Sequence, residues 1–151
     1  MNVLFDTNLL LRMAQAGHSH HQISIDASAI IYRRGDTPCL VPQVLYEFWV
    51  VVTRPLAQNG LGWSALEAAS ELARLRSLFT LLPDSPSIFG EWERLVTSYQ
   101  VIGKNAHDTR LVAAMLVHGM SHLLTFNISD FTRFSGITLL DPALVVSQAT
   151  P

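Results

Sequence analysis

Four of the twelve acidic side chains stand where an acid is unexpected. Asp6 closes the apolar run Val3-Leu4-Phe5. Glu47 is the lone carboxylate inside the apolar stretch Val44 to Val52. Asp108 precedes Leu111, Val112 and Met115 at i+3, i+4 and i+7, so it leans toward the core side of its helix. Asp130 follows the run Leu123-Leu124-Thr125-Phe126. Brought together without cations, such groups repel, and some would have to stay protonated. A divalent metal removes that conflict. All-oxygen ligation suits Mg²⁺ or Mn²⁺ rather than Zn²⁺, and Mg²⁺ on a few carboxylates and several waters is the usual setting for phosphate chemistry.

Each acid also has a plainer explanation. Asp6 can cap a helix, Asp108 can be an N-terminal helix acid, and Asp130 can be a loop acid. Glu47 is harder to dismiss, because burying a lone carboxylate costs several kcal/mol unless it is paired, protonated or metal-bound. Arg12, Arg54 and Arg110 are the candidate partners for a structural salt bridge there.

The elements decide whether the four acids can meet. Val3 to Phe5 reads as a buried strand, and Thr7 or Asn8 is placed to cap the helix Leu9 to Ala14. A helix through Ile23, Ala27, Ile30 and Ile31 runs up to the turn Gly35-Asp36. The strand Cys39-Leu40-Val41 follows. Val44 to Val52 has strand-like composition, but Pro42 before it and Pro55 after it favour a helix. Ser64-Ala65-Leu66-Glu67 is a capping box, opening a helix expected to bury Leu66, Ala69, Leu72, Ala73 and Leu75. A strand is expected over Leu78 to Leu82. Ser85-Pro86 opens a helix with Ile88, Trp92, Leu95, Val96 and Tyr99 inside. His107 to His118 is a helix capped by Gly119, and strands are expected over His122 to Phe126 and Ile137 to Leu140. Alternating strands and helices predict an α/β domain with a parallel sheet flanked by helices on both faces. In such sheets ligands bind beyond the strands' C-terminal ends, where all four acids can converge.

The 151 residues fit one domain, 1–151. Charged residues are 15% of the chain, against about 25% in a typical soluble domain. The net charge of −2 supplies no global field for nucleic acid. The ten basic residues, nine Arg and Lys104, can still form a local patch. Low charge suggests surface covered by a partner or a second copy. Cys39 is the only cysteine, so a disulfide framework and a cysteine zinc site are excluded. Neither a signal peptide nor a membrane span is visible, and a cytoplasmic location is expected.

Together these residues resemble the PIN-domain family, and more narrowly its VapC-type ribonuclease toxins. The similarity lies in Phe5-Asp6-Thr7-Asn8, in Glu47 after the second strand, in His107-Asp108-Thr109-Arg110-Leu111-Val112-Ala113-Ala114, and in Leu124-Thr125-Phe126-Asn127-Ile128-Ser129-Asp130-Phe131. It runs from Asn2 to about Pro142. The resemblance implies a PIN-like fold with a parallel sheet of about five strands. It implies an acidic quartet of Asp6, Glu47, Asp108 and Asp130 holding Mg²⁺ or Mn²⁺, with Thr7 and Asn8 as helpers. Asn127 is the alternative to Asp130, acting through water. It further implies metal-dependent endonucleolytic cleavage of single-stranded RNA, a homodimer, and inhibition by a cognate antitoxin.

Arg12, Lys104, Arg110 and Arg133, with Arg33 and Arg34, are candidate RNA contacts. Arg33-Arg34 is equally well a solvated helix end. His18-Ser19-His20-His21 can be a transition-metal cluster or, more simply, a polar loop between helices. A catalytically silent PIN-like module that binds RNA or antitoxin is the main alternative function. A structure-specific DNA nuclease is disfavoured by the absence of an added DNA-binding module. An aspartyl-phosphate enzyme would want a second Asp at Asn8 and leaves Glu47 without a role.

Overall fold

The computed structural model describes residues 1–149. Five strands form a single parallel sheet in the order β3-β2-β1-β4-β5. They are β1 (Asn2–Phe5), β2 (Thr37–Leu40), β3 (Thr80–Leu81), β4 (His122–Leu124) and β5 (Thr138–Leu140). The chain builds outward from β1 to β3 on one side, then returns to add β4 on the other. That reversal puts the switch point between β1 and β4, where a crevice opens at the strands' C-terminal ends.

Helices fill the connections: α1 (Thr7–Met13), α2 (His21–Arg33), α3 (Pro42–Thr53), α4 (Ala65–Leu78), α5 (Pro86–Ser98), α6 (Asn105–Val117), α7 (Ile128–Phe131) and α8 (Pro142–Ala149). They fall into two packed groups. In one, α1 packs on α2 and α3, α3 on α4, and α8 on α2; in the other, α6 packs on α5 and α7. Right-handed crossovers of opposite direction put such groups on opposite faces of the sheet.

Burial explains why β1 lies at the centre. Val3, Leu4 and Phe5 are fully buried, as expected of a strand covered on both faces. Phe5 meets Phe79 edge-on, with ring centroids 5.1 Å apart. The segment with strand-like composition is indeed helical: Pro42 opens α3, and Val44, Leu45, Phe48 and Val52 enter the core.

Several expected boundaries move. Asp6, not Thr7 or Asn8, caps α1; its side chain accepts the Thr7 amide. Helix α4 continues to Leu78, so β3 shrinks to Thr80–Leu81. The buried face of α4 is Ala68 and Leu75 with Leu72 partly covered, while Leu66 is 81% exposed and Ala69 and Ala73 also face solvent. The capping box itself forms in full, and it fixes where α4 begins without fixing which stripe faces inward. Strand β4 ends at Leu124, and β5 begins at Thr138. Helices α7 and α8 were not expected; α7 is a single turn, and α8 follows Pro142 at its first position.

Phe5→Ala should cost about 3–5 kcal/mol, because it empties a fully buried ring site and removes the Phe79 contact. Urea unfolding followed by circular dichroism measures this. A loss near 1 kcal/mol would mean that the core beside β1 relaxes around the void.

Candidate active site

The strand ends carry the site. Asp6 leaves β1 buried, and its carboxylate collects three donors. The Thr7 amide donates to Oδ1 at 2.7 Å. The Thr125 hydroxyl donates to Oδ2 at 2.7 Å, and Asn8 Nδ2 donates to Oδ2 at 3.2 Å. Thr125 follows β4, so its bond to Asp6 crosses the switch point. The Thr125 hydroxyl also accepts from Asn8 Nδ2 at 3.3 Å and from the Asn127 amide at 3.0 Å.

Glu47 reaches the same edge from α3. Thr7 Oγ1 donates to its Oε2 at 2.7 Å, and Gln43 Nε2 donates to its Oε1 at 2.9 Å. Gln43 sits one helical turn earlier, the spacing that lets side chains meet on one face. Its amide also donates to the His107 carbonyl at 2.8 Å, tying α3 to the first turn of α6, which carries Asp108.

The electrostatics show that the four acids form one group. Burial pushes the Asp6 carboxyl above its ordinary value; Thr125 and the Thr7 amide oppose this, and Glu47 and Asp130 reinforce it. Asp108 is half-buried and pushed up to about 6, first by burial, then by Asp6, Asp130 and Glu47. Among the described residues, none of the four makes an ion pair with a basic side chain. The salt bridge considered for Glu47 is therefore not formed.

The supporting residues divide. Thr7 and Asn8 bond to the acids. Asn127 enters through its backbone amide, while the residue itself is exposed. Thr125 and Gln43 were not picked out from the sequence. A hydroxyl directly after the apolar pair Leu123-Leu124 and an amide four residues before Glu47 were the available signals.

The basic candidates also divide. Arg110 is not free: NH1 donates to Gln43 Oε1 and NH2 to Asp84 Oδ1, each at 3.1 Å. It braces Gln43 rather than offering its fork to a ligand. Arg12 donates to Gln15 Oε1 at 2.8 Å. Lys104 and Arg133 are exposed. The histidine cluster stays partly together: the His18 and His20 rings lie 5.5 Å apart and the His20 amide donates to His18 Nδ1 at 3.0 Å, while His20 also stacks on Phe126 with centroids 4.6 Å apart and His21 Nδ1 meets the Arg12 carbonyl at 2.9 Å.

Among the described residues, no group of three or more His, Cys, Asp or Glu side chains is arranged, as it stands, to hold a metal ion. The four acids are instead an all-oxygen set that couples electrostatically, with His107 partly opposing the repulsion at Asp108. Such a set suits a cation that keeps several of its waters.

Comparison with known proteins bears on the fold. No family model matches the chain. It is 28% identical over 142 residues to Ribonuclease VapC1 of Rickettsia felis, spanning 93% of this chain and 96% of that protein. Its backbone matches a chain of VapBC2 from Rickettsia felis bound to a promoter DNA fragment, with TM-score 0.69 at 17% identity, covering 93% of this chain and 98% of that one. This is a PIN-like, VapC-type fold. The same fold occurs in VapC20 of Mycobacterium tuberculosis, a sarcin-ricin loop cleaving toxin, at TM-score 0.58 and 17% identity, covering 80% and 86% of the two chains. The VapC-type resemblance read in the sequence therefore holds in both sequence and backbone. No helix among the described residues is long and apolar enough to cross a membrane.

The raised Asp108 value has a consequence for stability. The folded state favours its protonated form, so the stability linked to Asp108 is complete below the unfolded value of 3.8 and is lost as pH rises toward about 6. Discounted for solvent screening at a half-exposed group, the cost at pH 8 is about 1 kcal/mol. In EDTA at pH 8, Asp108→Asn should melt about 2–4 °C above wild type. At pH 4 the two should coincide. A variant melting below wild type at pH 8 would mean that Asp108 acts as an ordinary helix N-terminal acid.

Proposed function

We propose that the protein is a metal-dependent endoribonuclease that cleaves single-stranded RNA, acting as the toxin of a toxin–antitoxin pair. The observation that carries this reading is the quartet at the switch point: four mutually interacting carboxylates with no cation of their own. The VapC-type fold and the similarity to a VapC ribonuclease support it.

In this reading Asp6, Glu47 and Asp108 hold Mg²⁺ or Mn²⁺, with Asp130 assisting directly or through water. The bound ion would lower the pKa of a water and offset charge on the phosphate. Thr7 and Gln43 fix the direction of the Glu47 carboxylate. Thr125 and Asn8 fix that of Asp6, so the donor oxygens are set before substrate arrives. The value of Asp108 is raised by burial and by the other acids, and a bound ion would favour its ionised, ligating form. Lys104 and Arg133 lie exposed and are available to RNA phosphates.

An antitoxin partner accords with the VapBC complexes that share the fold, including that of Haemophilus influenzae, matched at TM-score 0.66 and 16% identity over 95% of this chain and 99% of that one. We also propose a homodimer. Large apolar side chains, among them Phe89 and Ile102, stay exposed, at 65% and 83%. Light scattering should give twice the chain mass at micromolar concentration; a monomer there would refute the dimer and leave the nuclease reading standing.

Purified wild type should cleave a single-stranded RNA oligonucleotide with Mg²⁺ or Mn²⁺ and stop on adding EDTA. Asp6→Asn keeps the shape and cap position of Asp6 but removes its charge, so it should fold normally and show no cleavage. Activity retained by a folded, nuclease-free Asp6→Asn preparation would overturn the assignment. Absence of cleavage by wild type would favour a silent RNA- or antitoxin-binding module.

A further inference from the structure

A cavity of about 410 Å³ opens beside the carboxylate group, lined by Thr7, Tyr46, Glu47, Val50, Val51 and Arg54. Two of these residues, Thr7 and Glu47, belong to the site already described. From Glu47, Val50, Val51 and Arg54 follow along α3 at i+3, i+4 and i+7, and Tyr46 precedes Val50 by four residues, so all lie toward one side of the helix. Arg54 therefore lies about 10 Å along the helix axis from Glu47. Arg54 and Glu47 line the same cavity, with no hydrogen bond or ion pair between them among the described residues.

Arg54 is held in place yet uncommitted. Its backbone amide donates to the Val50 carbonyl at 3.1 Å, and its own carbonyl accepts from Gly62 at 2.9 Å. The following loop lies so close that a Cβ at Gly60 would collide with the Arg54 carbonyl oxygen. Leu61 and Trp63 amides then bond back to the carbonyls of Val51 and Val52, at 3.1 and 2.8 Å. Loop 55–62 thus clamps the Arg54 backbone. Among the described residues its side chain makes no hydrogen bond and no ion pair, unlike Arg12 and Arg110. At the other side of the cavity Tyr46 is 62% exposed, and Val50 and Val51 supply an apolar floor.

We propose that this cavity is a nucleotide subsite for single-stranded RNA, with a base against Tyr46 and a backbone phosphate on Arg54. The substrate class rests on the ribonuclease reading above. An unpaired guanidinium and an exposed aromatic ring lining one cavity are a combination that binds single strands: one group takes the phosphate, the other stacks the base. Continuity with the carboxylates favours RNA over a protein segment, because a strand reacting there must pass this wall. Arg54 also ends α3, where a cation complements the helix dipole. A purely structural Arg54 would therefore show in stability and not in RNA affinity.

The test compares wild type with Arg54→Ala, Arg54→Lys, Tyr46→Ala and Tyr46→Phe, all checked for folding by thermal melts. Cleavage of a single-stranded RNA oligonucleotide is measured with Mn²⁺, and binding of a labelled, cleavage-resistant phosphorothioate oligonucleotide of the same sequence by fluorescence anisotropy with Mn²⁺ across a salt series. Arg54→Ala and Tyr46→Ala should each raise KM about fivefold or more with kcat unchanged. Tyr46→Phe keeps the ring and should match wild type. The slope of log K against log salt should fall by about 0.7 in Arg54→Ala and stay unchanged in Arg54→Lys. Hydrolysis of methyl 4-nitrophenyl phosphate, which has no base and no second phosphate, should be unaffected in all four.

If wild type cleaves RNA while folded Arg54→Ala and Tyr46→Ala keep its KM and salt slope, the subsite is refuted and the nuclease reading survives. If wild type binds RNA without cleaving it and the slope still falls in Arg54→Ala, the nuclease reading fails and the subsite stands. If wild type does not bind RNA, both fall. If the variants lose affinity only for a protein inhibitor, the cavity belongs to that protein and the subsite is refuted.

Discussion

The burial of Asp6 is the constraint to which the rest of the sheet edge responds. A carboxylate taken out of water at the end of β1 costs several kcal/mol unless donors replace its hydration. Three donors do so: the Thr7 amide, Thr125 and Asn8. Because Thr125 belongs to the segment leaving β4, one hydrogen bond satisfies Asp6 and also closes the crevice between the two strands. The same hydroxyl accepts from Asn8 and from the Asn127 amide, which fixes where the chain turns toward α7 and Asp130. Compensation is incomplete, since burial still outweighs the hydrogen bonds and Asp6 stays above its ordinary value. The residual unfavourable charge is what a bound cation would relieve.

Glu47 solves a related problem differently. Its oxygens accept from the neutral groups Thr7 and Gln43, and the nearby guanidinium of Arg110 stops at the far end of Gln43. That amide spacer matters. Had Arg110 paired directly with Glu47, the quartet would carry its own countercharge and Asp108 would feel less repulsion. As built, Arg110 and Asp84 stiffen the scaffold while the acids keep their negative potential. Gln43 bonds in addition to the His107 carbonyl, so one side chain aligns α3 with the start of α6.

The positions of the strands were legible in the sequence where burial is two-sided, while their order in the sheet was not. Val3-Leu4-Phe5 could only be a central strand, and Asp6 at its end followed. The helix at Pro42–Thr53 was legible because two prolines bracket it, even though its side chains prefer strands. Interior stripes were less legible where small residues occur all round: in α4, Ala68 is buried and Ala69 is not, and local composition does not separate them. The four acids could be picked out because a carboxylate among apolar residues is costly. Thr125 and Gln43 could not, because an uncharged polar residue near a strand end or helix start is common, and its partners lie far away in sequence. Arg110 looked like a free cation for the same reason; its engagement with Gln43 and Asp84 depends on tertiary packing.

Net charge adds a further consequence. With −2 overall, the protein has no broad positive field, and the carboxylate group is negative where an RNA phosphate would have to lie. On the proposed function, RNA bound without a cation would meet repulsion from the quartet and attraction only from scattered cations such as Lys104 and Arg133. A divalent ion at the acids would offset part of that negative charge, so it would ease substrate binding as well as supply chemistry. Binding linkage is reciprocal: if the ion tightens RNA, RNA must tighten the ion by the same factor. If the four acids alone would hold an ion only weakly, that linkage would let substrate and ion each raise the other's affinity at the same edge of the sheet.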